Sequence, residues 1–249
     1  DSEYIRDLYA FKYVYINHGV LTSDSSRVFG AHAKNISLLT TGSKFERRSI
    51  TSNKLYGYSP DQVLVTGLPR FDPLIEYSGR PERTILIMPT WRSNLAGKVE
   101  DGKNGITYAK RSYSETFKES EFYSFYNGII SDPRVIRALK HNDYKIKFCI
   151  HPSLSEHWVD FIGSKNVEIA TPPHDYVDLL KRGALLVTDY SGVAFDFAYM
   201  KKPVIYTQFD KTKLYDSHYY KEGDFSFEKQ GFGPVTNGYE DSIDAIIKS

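Results

Sequence analysis

Residues 186–196, Leu-Val-Thr-Asp-Tyr-Ser-Gly-Val-Ala-Phe-Asp, form a run whose residue types suit phosphate binding. The pattern predicts a buried strand that passes through a hydroxyl-rich turn directly into a helix. Backbone N–H groups at a helix start lack intrahelical acceptors and lie at the positive end of the helix dipole, so they bind phosphate. Thr188 and Ser191 flank this turn, with Ser191 as the predicted N-cap, and Asp196 follows one turn into the helix. The run therefore predicts a site for an anionic group.

Two other apolar runs end in residues that stabilise anions. The run 84–88 is followed by Pro-Thr-Trp-Arg, which ends at Arg92, and the run 145–150 is followed by His151. A guanidinium binds two phosphate oxygens at once. His151, as a histidinium or as a neutral N–H donor, would stabilise charge on a pyrophosphate leaving group. Because ligands of open α/β sheets bind outside the carboxyl ends of the strands, the three runs together predict an anionic ligand in a sheet crevice.

A further histidine, His18, follows the strand-like run 13–16 and precedes Gly19. An imidazole at the tip of a strand suits a general base near neutral pH, and a glycine beside it lets a ligand approach closely. Each candidate also fits a structural role: His18 as a turn residue, Ser191 as an N-cap alone and His151 as a satisfied structural histidine. The local patterns leave these alternatives open.

The elements that must position these residues alternate between strand and helix patterns, which is typical of α/β layers with parallel strands. Strands are predicted at 13–16, 36–40, 62–66, 84–88, 145–150, 167–169, 184–187 and 204–206. Helices are predicted at 43–55, 115–130, from 132 onward, and at 155–162, 175–181, 191–200 and 240–248. Ser43 and Glu46 predict a capping box at the first of these helices. The polar stretch 77–82 predicts a domain boundary that separates residues 1–80 from 81–249.

Composition excludes several classes of protein. A balance of 32 basic against 31 acidic residues argues against a general nucleic-acid binder, which is normally strongly basic. The single cysteine cannot form an internal disulfide or a cysteine-cluster metal site, and no His or Cys spacing indicates zinc. The sequence has neither a P-loop nor a dinucleotide-binding glycine pattern, and no nucleophile elbow. It therefore predicts no cofactor and no metal ligand, while leaving a divalent metal open.

Taken in order, the motifs resemble those of the CDP-glycerol glycerophosphotransferase family, the teichoic-acid and capsule polyol-phosphate polymerases and primases of bacteria. The motifs are His18-Gly19, Gly-Leu-Pro-Arg-Phe-Asp at 67–72, Pro-Thr-Trp-Arg at 89–92, His-Pro-Ser-Leu at 151–154, Thr-Asp-Tyr-Ser at 188–191 with Asp196, Lys202-Pro203 and Gly-Phe-Gly-Pro at 231–234. The resemblance implies an α/β, GT-B-like fold of two Rossmann-like parallel-sheet halves. Residues 1–80 would be the C-terminal part of an acceptor-side half that is incomplete in this chain, and 81–249 the half that binds the donor.

The resemblance also implies an activity, a transferase that moves a polyol phosphate, above all glycerol phosphate, from a CDP-polyol to an acceptor hydroxyl and releases CMP. His18 matches the family's proposed base, with Gly19 and Arg70 on the acceptor side. His151 is expected to be catalytic as well as donor-binding. The donor-binding set is Arg92, His151, Thr188, Ser191 and Asp196.

The expected partners are CDP-glycerol or another CDP-polyol and a polyol-phosphate or lipid-linked acceptor, with no nucleic acid. The family implies a cytoplasmic, peripheral location at the inner face of the bacterial cell membrane, in teichoic-acid or capsule synthesis. The basic clusters 44–48 and 98–111 are candidate membrane-facing surfaces.

Two departures from the family pattern leave the donor and acceptor open to a different polyol or sugar. Val20 and Leu21 follow Gly19, where the family often has Thr-Pro, and Gly192 stands where it often has a second serine. Two alternatives therefore accompany the transferase prediction. A GT-B glycosyltransferase with a nucleotide-sugar donor would release a nucleoside diphosphate. A truncated, non-catalytic module would bind nucleotide without turnover.

Overall fold

The computed structural model describes residues 11–31, 35–75, 80–99, 111–171, 174–217 and 221–249. The chain divides into two compact units: the first extends to residue 76 and includes 219–226, and the second contains 77–218 and 227–249. Residues 76–79, which fall at the predicted boundary, lie outside the described residues. The assignment of an acceptor role to 1–80 and a donor role to 81–249 stays a prediction.

The secondary structure consists of short strands and helices that follow one another along the chain. The strands are β1 (Tyr13–Tyr15), β2 (Ser23–Asp24), β3 (Ile36–Thr41), β4 (Val63–Val65), β5 (Thr84–Ile87), β6 (Lys145–Cys149), β7 (Val167–Ala170), β8 (Leu185–Thr188), β9 (Val204–Thr207), β10 (Lys221–Glu222) and β11 (Val235–Thr236). The helices are α1 (Ser26–Phe29), α2 (Lys44–Ser52), α3 (Asp72–Ile75), α4 (Glu121–Ser131), α5 (Pro133–Asn142), α6 (Tyr176–Arg182), α7 (Val193–Tyr199), α8 (Lys211–Ser217), α9 (Phe227–Gln230) and α10 (Tyr239–Lys248). Among the described residues, 3₁₀ helices lie at Pro60–Gln62, Pro69–Phe71, Phe117–Glu119 and Pro152–Asp160.

The first unit is built on a parallel sheet whose described strands run in the order β1-β3-β4, and β2 pairs antiparallel with β10. Its core contains Leu39 of β3, Ile50 of α2 and Val63 of β4, all nearly without exposure to solvent. Apolar residues on these three elements face one another, so their burial holds α2 against the sheet.

Helix α2 begins as predicted, with the Ser43 hydroxyl accepting the Glu46 N–H at 3.1 Å. The prediction was wrong on two details. The Glu46 carboxylate accepts from the Gly42 N–H rather than closing the capping box on Ser43. The helix ends at Ser52 rather than at residue 55, because the Asn53 side chain accepts the Leu55 N–H and forms a turn there.

The described strands of the second unit form one parallel sheet in the order β11-β9-β8-β5-β6-β7. The chain winds outward from β5 through β6 to β7, then returns to the other side of β5 with β8. This is the strand order of a Rossmann fold, and its topological switch point lies between β5 and β8. The strand order alone therefore indicates where a ligand crevice would lie, at this switch point.

Helices cover both faces of this sheet, as an all-parallel sheet requires. Ile85 and Ile87 of β5 belong to the core cluster that includes Tyr126 and Ile129 of α4. The alternate residue Leu86 points to the opposite face. There it packs beside Gly183, where a Cβ would stand 2.5 Å from the Leu86 side chain and 3.3 Å from Phe197 of α7. Glycine at 183 thus permits the close approach of α6 to the sheet.

Among the predicted helices of the second unit, one is interrupted and one is of another type. The predicted helix 115–130 is interrupted, because the Ser120 hydroxyl accepts the Tyr123 N–H and begins α4 after a separate 3₁₀ turn. The predicted helix 155–162 is a 3₁₀ helix that begins at Pro152, with non-helical backbone at Leu154. None of the helices in the described parts of the chain combines the length and the apolar character that a membrane-spanning helix requires.

Candidate functional site

The loops after β5 and β8 meet at the switch point of the second unit's sheet. Asp189 joins them, because one carboxylate oxygen accepts the Thr90 N–H at 2.8 Å and the Tyr190 N–H at 2.6 Å. Thr188, which is fully buried, donates its hydroxyl to the Met88 carbonyl at 2.7 Å. The predicted donor-binding hydroxyl of Thr188 is thus used to hold β8 against the end of β5.

Arg92 lies beneath this junction and is 3% exposed. Its Nε and Nη2 donate to the two carboxylate oxygens of Asp210 at 2.7 and 2.9 Å, and Nη2 also donates to Asp189 at 2.9 Å. Nη1 donates to the Thr90 carbonyl at 2.6 Å. The guanidinium carbon lies over the rings of Phe122 and Tyr190, 5.3 and 5.5 Å from their centroids.

The electrostatics of this cluster keep Arg92 charged. Burial by itself lowers the pKa of the guanidinium, but the carboxylates of Asp189 and Asp210 outweigh it and hold the pKa above the ordinary value. Tyr126, which is fully buried beside Asp189 and Thr207, has a pKa raised by burial and by the Asp189 charge. Arg92 therefore holds the 189–191 turn to the β5 loop. Its partners here are carboxylates rather than the phosphate oxygens predicted for it, and direct donor binding by Arg92 stays a prediction.

His151 caps the 3₁₀ helix that follows β6, with Nδ1 accepting the Ser153 N–H at 3.1 Å. This bond places the ring proton on Nε2. Burial lowers the pKa of His151 to about 4, so the ring is neutral at physiological pH. Of the two forms that the sequence left open, the structure favours the neutral N–H donor. The ring stacks on Trp91, with centroids 5.9 Å apart, which places His151 beside the β5 loop.

Ser191 and Asp196 complete the predicted donor set. Ser191 was expected to cap α7, but the N-cap is Gly192, one residue later. The Ser191 hydroxyl accepts the Val193 N–H at 3.3 Å, so it still satisfies a donor of the first turn. Asp196 is 1% exposed within α7, and its side chain lies inside the unit.

The acceptor-side residues predicted from the sequence come together in the first unit. His18 is exposed after β1, and its carbonyl accepts a hydrogen bond from Arg70 Nη1 at 2.8 Å. The Tyr15 hydroxyl lies 3.5 Å from His18 Nδ1. A Cβ at Gly19 would stand 3.5 Å from Arg70 Nη1. Gly67, at φ +77°, turns the chain after β4 so that the 3₁₀ helix carrying Arg70 returns toward His18.

The switch-point cluster consists of Arg92, Asp189, Asp210 and Tyr126, and sequence reasoning missed Asp210 and Tyr126 as members of it. Asp210 follows β9 at the same edge of the sheet, and its place after a strand was the one signal that could have indicated it. Among the residues that the structure describes, no group of three or more His, Cys, Asp or Glu side chains is arranged to hold a metal ion.

Comparison with known proteins gives the family context. Residues 14–249 match the family described as CDP-Glycerol:Poly(glycerophosphate) glycerophosphotransferase. The chain is 39% identical over 244 residues to the minor teichoic acid biosynthesis protein GgaB of Bacillus subtilis (strain 168), which covers 98% of this chain and 26% of GgaB. It is 27% identical over 209 residues to a teichoic acid glycerol-phosphate transferase of Staphylococcus aureus (strain NCTC 8325 / PS 47), covering 76% of this chain and 45% of that protein. The chain thus spans less than half the length of these curated relatives.

Solved structures give the fold context. The wall teichoic acid polymerase TagF matches with a TM-score of 0.56 and 17% identity, over 95% of this chain and 62% of TagF. A putative UDP-N-acetylglucosamine 2-epimerase from Listeria monocytogenes matches with a TM-score of 0.55 and 14% identity, over 100% of this chain and 62% of the epimerase. Similarity at these identities shows the fold, and it confirms the predicted GT-B-like α/β class.

Proposed function

This chain belongs to the CDP-glycerol:poly(glycerophosphate) glycerophosphotransferase family, and on that premise we propose that it transfers a polyol phosphate from a CDP-polyol to an acceptor hydroxyl. The acceptor oxygen attacks the β-phosphorus of the donor and forms a phosphodiester. The bond between that phosphorus and the bridging oxygen breaks, and CMP leaves. The proton of the acceptor hydroxyl passes to a base. The observation that carries the proposal is the convergence of Thr90, Asp189 and the 189–191 turn at the switch point of the second unit's sheet.

In this proposal the second unit binds the donor. Phosphoryl transfer requires mainly positioning and charge neutralisation, so rigid loops with N–H donors are the machinery that it needs. The Nε2–H of neutral His151 donates to the pyrophosphate, and Ser191 lies at the turn that receives a phosphate. Arg92 and Thr188 support this turn through the buried bonds described above, with Asp196 inside α7.

The first unit carries the acceptor side of the proposal. His18 is the base that accepts the hydroxyl proton, a role that requires the exposure that its ring has. Gly19 leaves room beside it, and Arg70 holds the His18 carbonyl while adding positive charge where a phosphorylated acceptor would approach.

The identity of the polyol and the place in the cell where the chain acts are the less specific parts of the proposal. Relatives named for glycerol-phosphate transfer and relatives named for ribitol-phosphate transfer both match this chain, and glycerol phosphate is the first choice because of the family and the Staphylococcus relative. For the peripheral membrane location, the basic cluster 44–48 on α2 is the candidate surface among the described residues. Most of the 98–111 cluster lies outside them. Charge reversal of the lysine and the two arginines in 44–48 should weaken binding to anionic liposomes. Unchanged binding would remove this surface from the proposal.

The test of the proposed function is transfer of labelled glycerol from CDP-glycerol to a glycerol-phosphate-primed lipid. We expect transfer by the native chain and by His141→Ala, an exposed histidine on α5 that serves as the matched control. His18→Ala should lose about 100-fold or more in kcat, the range that a general base contributes. Equal rates for the two variants would refute the role of His18. CDP-glycerol binding without any transfer would favour the non-catalytic alternative.

A further inference from the structure

Glu46 is a buried carboxylate whose hydrogen bonds reach both sides of the His18 turn. It is 1% exposed. Oε1 accepts the Leu21 N–H at 3.0 Å and an Asn17 side-chain N–H at 3.4 Å, and Oε2 accepts the Gly42 N–H at 2.8 Å. Asn17 immediately precedes His18, and Leu21 follows it by three residues. The turn that carries the imidazole is therefore tied at both ends to one side chain.

The environment of Glu46 shows that its position is not explained by helix capping. Burial raises the pKa of Glu46, and the N–H groups of Leu21 and Gly42 oppose this effect. A buried carboxylate is costly unless it is well hydrogen-bonded, and this one does not close a capping box with Ser43. Here the carboxylate instead turns inward to the residues around His18.

A second bond reinforces the same end of the turn. The Asn17 N–H donates to the Thr40 hydroxyl at 3.3 Å, so Asn17 is held both by β3 and by α2. With these contacts removed, the segment 17–21 would keep its connection to β1, the bond between Arg70 and the His18 carbonyl, the Tyr15 hydroxyl beside the His18 ring and the packing of Leu21 against the first unit's core. The two polar contacts among these both end at His18, whereas Glu46 supplies a hydrogen bond to the chain after Gly19.

We propose that Glu46 is a positioning residue that holds the His18 turn in the geometry needed for proton transfer. The inference rests on the proposed function of His18 and deepens it. A displacement of about 1 Å at a reacting group costs up to about 100-fold in rate, so loss of this anchor should be visible in kcat. The donor is assigned to the other unit, so its binding should not change.

The test uses Glu46→Gln, which keeps the size of the side chain but replaces one acceptor oxygen with an NH₂ group that faces an N–H donor. Asp61→Asn is the matched control, because Asp61 is an exposed carboxylate of the same unit at the amino end of β4. For Glu46→Gln we expect kcat to fall about 10- to 100-fold with an unchanged KM for CDP-glycerol. We also expect shifted imidazole signals of His18 in ¹H–¹³C NMR spectra and an unchanged far-UV circular dichroism spectrum. The control should match the native chain in all four measurements.

The NMR measurement separates this proposal from the proposed function. If the native chain shows no transfer, the proposed function fails, while shifted His18 signals in Glu46→Gln still support the positioning role. Unshifted His18 signals together with an unchanged kcat would overturn the positioning role. A loss of kcat/KM that comes entirely from a higher KM for CDP-glycerol would also overturn it. If Glu46→Gln does not fold, Asn17→Ala removes a single bond of the same anchor, and the same criteria apply to it.

Discussion

Replacing Arg92 with methionine should destabilise the second unit by about 3–5 kcal/mol, the cost of removing one partner from a buried ion pair. The variant leaves two carboxylates without their cation, Asp189 fully buried and Asp210 9% exposed. It also removes the hydrogen bond from Nη1 to the Thr90 carbonyl. Methionine fills a similar apolar volume beside the neighbouring rings, so lost packing contributes little to the expected change.

Tryptophan fluorescence during urea denaturation measures this change in one unit alone. The chain has two tryptophans, Trp91 and Trp158, and both belong to the second unit. With a slope of about 2 kcal/mol/M for a unit of this size, the urea midpoint should fall by about 1.5–2.5 M. The double variant Arg92→Met, Asp210→Asn should recover part of this loss, because it removes one of the two unpaired charges.

Arg182→Met is the matched control for this experiment. Arg182 pairs with Glu82 and Asp178 at the surface of the same unit, where it is 56% exposed. Exposed ion pairs contribute about 0–1 kcal/mol, so the control should move the midpoint by at most about 0.5 M. A midpoint for Arg92→Met that equals the control would refute the argument that Arg92 is the central cation of the switch-point cluster.

Three further predictions concern the second unit. His151 should stay neutral down to about pH 5 in a ¹H–¹³C NMR titration, and a titration midpoint near pH 6.5 would contradict this. Because its folded pKa of about 4 lies below the ordinary value of 6.5, the stability that the neutral ring contributes is complete above pH 6.5 and declines toward pH 4. Cys149 is 3% exposed and burial raises its pKa to about 12, so it should react with a thiol reagent only in urea. Stoichiometric labelling of the folded chain would show instead that the thiol is accessible. Lys202→Met should lower the free energy of unfolding by about 1–3 kcal/mol in the same urea assay, because the ammonium donates to three carbonyls around the end of α6. An unchanged urea midpoint would mean that these carbonyls find other donors.

Most strands of the second unit were predictable because β5, β8 and β9 are nearly continuous apolar runs, whereas the two-residue strand β11 was not predicted. In β8 every residue from Leu185 to Thr188 is buried, and a parallel sheet covered on both faces produces this kind of run. Helix starts at Ser43, at Asp132 before Pro133 and at Asp175 were also predictable, since each depends on a side chain that bonds an N–H two or three residues later. These signals are local in sequence.

The partners of Arg92 could not be predicted, because they lie far away along the chain. Asp189 and Asp210 are 97 and 118 residues from Arg92, and no local pattern distinguishes an arginine that binds phosphate from one that binds carboxylates. The neutral state of His151 depends on burial, which packing decides. The inward turn of Glu46 toward Asn17 and Leu21 likewise depends on contacts more than 20 residues apart.

The proposed transfer breaks the bond between the β-phosphorus and the bridging oxygen of the donor, so the identity of the released nucleotide shows whether this reaction takes place. We would incubate the chain with CDP-glycerol and a glycerol-phosphate-primed lipid and separate the nucleotides by ion-exchange chromatography. We expect CMP, formed only when the acceptor is present, in amounts equal to the glycerol phosphate transferred. Release of CDP would contradict this expectation, because the donor would then have been cleaved on the polyol side of its pyrophosphate.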